Sequence, residues 1–287
     1  MAYTRVATTT HQQIDILRSR GLQIADEKSA MAILEEVGYF RFKGYCLPFY
    51  GPEKERFRSG VDLEQIYQTY RFDTDVKALT LQACQRAETR FKSIMGNTLA
   101  LTLGSVLPDT AFYSVDRAKQ RHARAAKAQV DGSSRGELYV DHYTVEYEEF
   151  PIWVDLELTS FGNASMLYSW LDRDLQRQVA ARYGVRYPYI QNWMHVLTVI
   201  RNTCAHNSRI YGRHLALNTR IPSSQSPYFV NGNFFSVLFV LYKVLARKDF
   251  AVYLQRMKTC FDSYQGCVAI NWLGFPDDWF EHCLGMM

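Results

Sequence analysis

The longest regular pattern in this sequence covers residues 62–101, where apolar side chains recur every three or four positions. One stripe begins at Leu63, and a second runs from Leu79 through Phe91 to Leu99. Spacing of this kind is typical of an amphipathic helix that buries one face. The pattern predicts two long helices or one bent helix, and an element of this length needs other helices to cover its apolar face.

Helical patterns also occupy the segment before this stretch. Residues 10–37 predict two short helices, the second of which begins after Asp26 as its N-cap and ends at Gly38. Three glycines and two prolines among aromatic residues predict an extended or turn-rich connection over 38–52. Residues 104–137 predict a variable connection with one short helix over ARAAKAQ.

The second half of the sequence continues in the same way. Residues 151–171 predict a helix that turns near Phe161, and Pro188 falls in the first turn of the next long helix. Two further helices are predicted at 234–246 and 250–264. Because strand patterns are scarce and internal repeats are absent, the sequence predicts an all-α bundle.

The 287 residues are enough for one large domain or two small ones. We expect three consecutive regions along the chain. Residues 1–58 would form an N-terminal helical cap, residues 59–220 a helical core, and residues 221–287 a C-terminal helical extension packed on that core.

The composition, with 47% hydrophobic residues, 22% charged residues and a formal net charge of +4, is that of an ordinary folded protein. The N-terminal sequence lacks the apolar core of a signal peptide, and no apolar stretch is long enough to span a bilayer. We therefore expect a cytoplasmic protein that does not enter a membrane. The six cysteines lie mostly within apolar helical patterns and are interpreted as reduced, packed thiols. No metal or other cofactor is expected.

The segment RNTCAHNSR, residues 201–209, places cationic, amide and imidazole side chains directly after an apolar run. On an ideal helix, the buried side lies within about 60° of Ile200 and contains Trp193, Val196, Leu197 and Cys204. The polar side lies between roughly 180° and 240° and contains His195, Asn202, His206, Arg209 and Arg213. The spacing predicts that one helix presents these polar groups in a single stripe, with Arg201 at the edge of the core.

These side chains suit the cleavage of an RNA strand. An imidazole with the ordinary pKa of ~6.5 exchanges protons at neutral pH, and a guanidinium holds phosphate oxygens while it keeps its charge. A base would take the proton of the 2′-hydroxyl, cations would stabilise the phosphorane, and an acid would protonate the leaving 5′ oxygen. The ribose supplies the nucleophile, so no metal is needed. The spacing alone leaves open a second interpretation, a solvated helix face with salt bridges.

The residues RNTCAHNSRIYGR resemble the signature of the Abi D/F-like abortive-infection proteins, a bacterial phage-defence family in the HEPN superfamily of all-α ribonucleases. Three other blocks resemble the same family in the same order, at residues 19–49, 66–91 and 151–171. Together they cover most of residues 10–215. The resemblance implies an HEPN-like helical bundle and an endoribonuclease of the abortive-infection or toxin–antitoxin kind.

The HEPN pattern R-x-x-x-x-H maps onto Arg201 and His206, so the resemblance implies that these two residues are catalytic, with Asn202 as the polar companion of the arginine. Enzymes of this kind are expected to cut RNA without metal, leaving a cyclic phosphate and a 5′-hydroxyl. Their site is expected to be assembled across a homodimer. Arg209 and Arg213 match downstream basic positions of the family and are assigned to phosphate binding.

The sequence departs from the family pattern at several positions. Asn207 stands where the family often has a second consecutive histidine, so no proton-transfer role is expected at this position. Tyr211 and Gly212 replace the more usual Trp and Asn. Phe42 and Lys43 replace the common Leu-Ser pair of the N-terminal block.

Two basic regions are candidates for contact with RNA. The segment 117–135 is rich in arginine and lysine and includes Arg121 and Arg124, and a second region places Arg41 and Lys43 among aromatic residues. Basic side chains interleaved with aromatic ones suit phosphates and stacked bases. For the AbiF-like branch, the resemblance implies that these regions hold a small non-coding RNA that restrains the enzyme.

Glu88 and Arg90 resemble a polar pair on the long helix of the family. Arg90 is assigned to RNA binding. For Glu88 two interpretations remain open: it orients Arg201 or His206, or it forms an ordinary ion pair with Lys92 at i,i+4 spacing.

Two other classes of function are compatible with the resemblance. A non-catalytic RNA-binding protein could keep the HEPN fold for dimerisation and bind a small non-coding RNA. A partner of a nucleotidyltransferase would depend on a separate enzyme, since this chain lacks a glycine-rich nucleotide-binding loop.

Overall fold

A computed structural model describes residues 6–53, 55–134, 136–147, 149–215 and 218–287. Within these residues the chain forms thirteen α-helices and three short 3-10 helices, and it contains isolated β-bridges but no β-sheet. The predicted all-α fold is therefore confirmed. The same part of the chain contains no helix that is both long and apolar enough to cross a bilayer.

The α-helices follow one another with short connections. They are α1 Thr10–Ser19, α2 Glu27–Val37, α3 Tyr39–Tyr45, α4 Leu63–Leu103, α5 Val115–Ser134, α6 Leu138–Glu146, α7 Ile152–Leu158, α8 Phe161–Trp170, α9 Arg173–Ala181, α10 Tyr187–Ala205, α11 Phe235–Val244, α12 Arg247–Ser263 and α13 Trp279–Gly285. The 3-10 helices cover Leu47–Phe49, Asp109–Ala111 and Ile270–Leu273.

The two predicted N-terminal helices are confirmed as α1 and α2. The Asp26 side chain caps α2 by accepting a hydrogen bond from the backbone N–H of Lys28. Gly38 ends the helix with a φ of 80°, a conformation that only glycine adopts without strain. The predicted apolar face is buried and consists of Ala30, Ile33, Leu34 and Val37.

The aromatic segment after Gly38 is helical, so the prediction of an extended or turn-rich connection was wrong. Helix α3 begins at once and places Phe42 and Tyr45 one turn apart, at 0% and 1% exposure. Burial of an aromatic side chain contributes about 1.5–3 kcal/mol. Two such rings on one face outweigh the cost of a glycine inside the helix, here Gly44, which is about 1 kcal/mol.

Helix α5 is twenty residues long, so the prediction of a variable connection with one short helix was also wrong. The composition DGSSRG suggested a loop, but Gly132 lies inside the helix for a packing reason. A Cβ atom at this position would meet the side chain of Leu158 on α7 at 2.8 Å, which is too close. The glycine lets α5 approach α7, and it does not mark a turn.

Helix α4 is a single continuous helix of 41 residues, which settles the choice between two helices and one. Backbone contacts divide the chain into two compact units, and α4 contributes to both. The first unit contains the chain up to Leu79 together with Cys204–Leu215 and Tyr253–Met287. The second contains Thr80–Thr203 and the segment that ends at Val252. The three consecutive regions expected from the sequence remain a prediction.

The core of the first unit is rich in aromatic side chains. Phe72 on α4 contacts the rings of Tyr211, Phe261 and Tyr264, with centroid distances of 6.1, 5.1 and 5.5 Å. Edge-to-face and tilted contacts at these distances are favourable. They hold the segment that follows α10 against α4 and α12.

The core of the second unit is built around α10 and the second part of α4. Trp193 is fully buried, donates a hydrogen bond to the carbonyl of Arg220 at 2.8 Å and packs against Phe239. Phe91 on α4 contacts the rings of Phe161 and Tyr168 on α8. The helical wheel correctly predicted that Trp193 and its neighbours on that side of α10 are buried.

Candidate functional site

Arg201 and Asn202 occupy the last turns of α10, in the second unit. The Arg201 guanidinium donates a hydrogen bond to the side-chain oxygen of Asn202 at 3.1 Å. Asn202 is exposed, and the Nε atom of Arg201 is buried without a hydrogen-bond partner among the described residues. Buried N–H groups normally have a hydrogen-bond partner, so an unpaired Nε atom at this position is unusual.

Helix α10 ends at Ala205, and this corrects the prediction of one polar stripe that continues to Arg213. His195 and Asn202 lie on the exposed face of the helix as predicted, but His206 begins a turn. Arg209 and Arg213 therefore lie outside the helix. The turn arises at Asn207, whose φ of 50° is left-handed and incompatible with a continuing α-helix.

A buried ion pair on α4, in the first unit, holds this turn. Asp73 and Lys77 are 0% and 3% exposed, and the Lys77 ammonium lies 2.9 Å from the Asp73 carboxylate. Asp73 also accepts hydrogen bonds from the backbone N–H groups of Ile210 and Tyr211 at 3.1 and 2.8 Å, and from the Tyr45 hydroxyl at 2.6 Å. A buried carboxylate needs several donors, and two of the donors to Asp73 come from the segment after His206.

Asn207 connects the turn to both α4 and α3. Its side-chain oxygen accepts a hydrogen bond from Lys77 at 2.6 Å, which gives the ammonium a second partner besides Asp73. Its backbone carbonyl accepts a hydrogen bond from the Arg41 guanidinium at 2.7 Å. The residue that replaces the second histidine of the family pattern therefore has a structural role, and it brings an exposed cation next to His206.

His206 is exposed between these fixed contacts. Cys204 precedes it and is buried, and burial raises the pKa of this thiol to about 12, with Lys77 opposing and Asp73 adding to the shift. A thiol with this pKa is protonated at neutral pH and is a poor nucleophile. Within the turn, the imidazole of His206 is the side chain suited to proton transfer.

Arg209 and Arg213 differ in their contacts: Arg209 is held by neighbouring residues, and Arg213 is exposed. Arg209 donates a hydrogen bond to the carbonyl of Tyr211 at 2.9 Å, and its guanidinium lies 6.0 Å from the centroid of the Tyr45 ring. Its Nε atom also lies against Gly44 of α3, 3.6 Å from the position of an added Cβ. Both arginines belong to the first unit together with His206.

The other predicted residues of the N-terminal block and of α4 have the following contacts. Lys43 forms an ion pair with Glu55 at 2.8 Å. Glu88 pairs with Lys92 at 2.8 Å, which is the i,i+4 interpretation of the two left open. Arg90 stacks on Tyr183, and its buried Nε atom lacks a hydrogen-bond partner in the described part of the chain. It borders a groove of about 630 Å³ along α4 in the second unit.

The predicted basic segment lies on α5, where Arg121 is nearly buried and Lys119, Arg124 and Lys127 are exposed. Arg121 forms an ion pair with Asp155 of α7, and both side chains are about nine-tenths buried. Arg124 donates a hydrogen bond to the side chain of Asn163 and stacks on Trp170. An RNA phosphate would compete with these contacts. Arg135, at the end of the predicted segment, lies outside the described residues.

No group of three or more histidine, cysteine, aspartate or glutamate side chains comes together as a metal site in the described ranges. Asp73, Lys77 and Tyr45 are the residues that sequence reasoning missed. A signal for the pair was present, because Asp73 and Lys77 are oppositely charged residues at i,i+4 spacing on the helix face that also carries Ile66 and Cys84. Charged side chains are rarely fully buried unless they are paired.

Comparison with known protein families gives a match that covers helices α3 to α10. The sequence profile described as "Abi-like protein" matches residues 32–212, well over half of the chain. The chain therefore belongs to the Abi-like protein family, which associates it with abortive infection, a defence against phage. The matched range includes Arg41, α4 and the whole of α10 with its turn. No curated protein and no solved structure matches the chain.

Proposed function

We propose that the protein is a metal-independent endoribonuclease of a phage-defence system. Membership of the Abi-like family supports the biological setting. The R-x-x-x-x-H motif with its exposed histidine supports the reaction. Asn202 accompanies Arg201 through the hydrogen bond between their side chains.

In the proposed reaction, His206 acts as an acid or base and Arg201 stabilises the phosphate. A base takes the proton of the 2′-hydroxyl, and the 2′ oxygen attacks the adjacent phosphorus. The bond from phosphorus to the 5′ oxygen breaks, and an acid protonates that oxygen. The products are a 2′,3′-cyclic phosphate and a 5′-hydroxyl, and the reaction consumes no water or cofactor.

The observation that carries the proposal is the support of the turn that begins at His206. A buried ion pair, two backbone N–H groups and an asparagine in a left-handed conformation fix this turn, while the imidazole remains exposed. A catalytic group needs a supported position as well as access to substrate. A histidine on an ordinary solvated helix end has no need of a buried charge pair beneath it.

We further propose that two chains form a homodimer. One chain supplies one motif histidine, whereas strand cleavage needs both an acid and a base. A two-fold axis that brings two motifs together would supply the second imidazole.

Regulation and substrate binding are proposed at the cationic residues. The RNA contacts are Arg209, Arg213, Arg41, Lys43, Arg90, Arg121 and Arg124. A small non-coding RNA is proposed as the restraining partner. Of these residues, Arg41 and Arg213 are exposed in the same unit as His206.

The proposal is tested with purified wild-type, His206→Ala and His195→Ala proteins. His195 is a matched control because it is also an exposed histidine of the α10 segment but lies outside the motif. We expect His206→Ala to lower the rate of RNA cleavage by about 100-fold or more and to relieve any growth defect on expression. His195→Ala should cleave like the wild type.

Equal cleavage by His206→Ala and wild type would contradict the proposal. A wild-type protein that binds RNA and cuts none would favour the alternative, a non-catalytic RNA-binding HEPN protein. In that case, a small RNA that copurifies with the protein would be its ligand and not its substrate.

A further inference from the structure

Phe40 is the most exposed large apolar residue among the described residues of the first unit, at 91% exposure against 89% for Val6. It lies in the first turn of α3, whose inner face is occupied by the buried Phe42 and Tyr45. The fold therefore does not need the ring of Phe40 for its core. A ring left in water costs free energy unless something covers it.

The surroundings of Phe40 are cationic. Arg41 follows it directly and binds the carbonyl of Asn207, the residue after His206. Gly44 lies one helical turn from Phe40 on the same face, and the Nε atom of Arg209 lies against Gly44. Arg41 contacts the segment 207–211 and Arg209 belongs to it, so the helix that carries the exposed ring lies beside the turn that begins at His206.

The two arginines keep their charge available. The described hydrogen bonds of Arg41 and Arg209 go to backbone carbonyls, which are neutral. No carboxylate forms an ion pair with either residue in the described part of the chain. An exposed aromatic ring between un-neutralised guanidinium groups is suited to a stacked base with phosphates on both sides.

From this arrangement we infer that Phe40 stacks on an unpaired base of the RNA next to the cleaved phosphate, with Arg41 and Arg209 on the flanking phosphates. The inference deepens the proposed function and rests on it for the position of the cleaved bond. It names the substrate class as single-stranded RNA, because a base within a duplex does not offer its face to a protein ring.

The test measures binding without cleavage. In the His206→Ala background, the affinity for a short fluorescein-labelled single-stranded RNA is compared with and without Phe40→Ala. We expect Phe40→Ala to weaken binding about tenfold, as the loss of one stacked base does. Phe40→Tyr should retain binding, and Leu101→Ala is the control because Leu101 is equally exposed at 89% but lies in the second unit.

Two further measurements show whether single-stranded RNA, duplex RNA or a second copy of the chain covers this surface. A probe with 2-aminopurine should show fluorescence quenching that disappears with Phe40→Leu, and the same sequence as a duplex should bind equally well with and without Phe40. Unchanged affinity for the single strand after Phe40→Ala would overturn the inference. Loss of self-association with unchanged RNA affinity would also overturn it and would assign the ring to a contact between two chains.

Failure of the proposed function gives a different result. If the wild type cuts no RNA but Phe40→Ala still weakens binding of the single strand, the proposed cleavage reaction is wrong and the inferred RNA-binding role of Phe40 is supported. If the wild type cuts RNA and Phe40→Ala leaves binding and cleavage unchanged, the reaction stands and the inference fails.

Discussion

Two cationic regions of the molecule differ in how one arginine of each, Arg41 and Arg121, uses its charge. Around the turn after α10, Arg41 is exposed and binds a neutral carbonyl, and a buried lysine neutralises the only nearby buried carboxylate among the described residues, Asp73. On α5, Arg121 is itself buried and neutralised by Asp155. Both regions are positively charged, but Arg41 keeps its charge for a ligand, whereas the charge of Arg121 is neutralised within the chain.

The comparison teaches that the position of a carboxylate decides what an arginine does. Asp73 has its own buried lysine and two backbone donors, so the arginines nearby are not needed for its compensation. Asp155 is buried without such a lysine, and Arg121 compensates its charge. A buried charge must be paired, so Arg121 has a structural role before any role in binding.

The largest expected effect is on the ion pair beneath the turn. Lys77→Met leaves Asp73 buried without its counter-charge, and we expect the free energy of unfolding to fall by about 3–5 kcal/mol. Urea denaturation of the purified protein measures this. Because Lys77 also binds Asn207, RNA cleavage should fall further than the fraction of folded protein alone explains.

The matched control for this variant is Lys92→Met on the same helix. Lys92 pairs with Glu88 at the same i,i+4 spacing but is 13% exposed, against 3% for Lys77. We expect a smaller loss than for Lys77→Met, because the Glu88 carboxylate keeps some exposure to water when its partner is removed. Equal losses for the two variants would show that burial of the Asp73–Lys77 pair does not matter.

The next largest effect concerns α5. Arg121→Met should lower the free energy of unfolding by about 2–4 kcal/mol, because Asp155 then remains buried without compensation. The double variant Arg121→Met/Asp155→Leu should recover most of the loss, since it removes both charges. A double variant no more stable than the single one would contradict this account.

The loss in Arg121→Met should also depend on pH. Burial raises the pKa of Asp155 and Arg121 opposes this rise, so removal of the arginine raises the folded-state pKa further above the unfolded value. The penalty is present while the folded carboxyl is ionised, at pH above its folded pKa, and disappears as pH falls to the unfolded pKa. Denaturation at neutral and at mildly acidic pH measures the difference, and a loss that grows on acidification would be the wrong sign.

The smallest effect compares RNA binding by the two regions. In the His206→Ala background, Arg41→Ala should lower RNA affinity severalfold and reduce the slope of log affinity against log salt by about 0.7, the value for one phosphate contact on a single strand. Arg124→Ala should have a smaller effect, because Arg124 must leave Asn163 and Trp170 to bind RNA. An equal or larger loss of RNA affinity in Arg124→Ala would contradict the expectation that Arg41 is the more available of the two arginines.

The fold could be predicted from the sequence where apolar periodicity and capping agree. This holds for α2, with Asp26 and Gly38 at its ends, and for the buried side of α10. The prediction failed where glycine was interpreted as a turn signal. Gly44 lies in α3, where burial of two aromatic rings outweighs its cost, and Gly132 lies in α5, where it permits a close approach to Leu158 that a single-sequence pattern does not reveal.

The candidate site was predicted in its residue types but not in its geometry. Arg201, Asn202 and His206 follow from the motif, whereas the end of α10 at Ala205 depends on Asp73, which lies more than a hundred residues earlier. A helical wheel contains no information about such a distant acceptor. The role of Asn207 follows from the same tertiary contacts and could not be read from its substitution for histidine alone.

The central claim is that the motif cuts RNA through the ribose hydroxyl. The most direct measurement is the chemistry of the product ends after incubation of the wild-type protein with single-stranded RNA in excess EDTA. The account predicts cleavage at an undiminished rate, with 2′,3′-cyclic phosphate and 5′-hydroxyl ends that His206→Ala does not produce. Products with 3′-hydroxyl and 5′-phosphate ends, or cleavage abolished by the chelator, would contradict it.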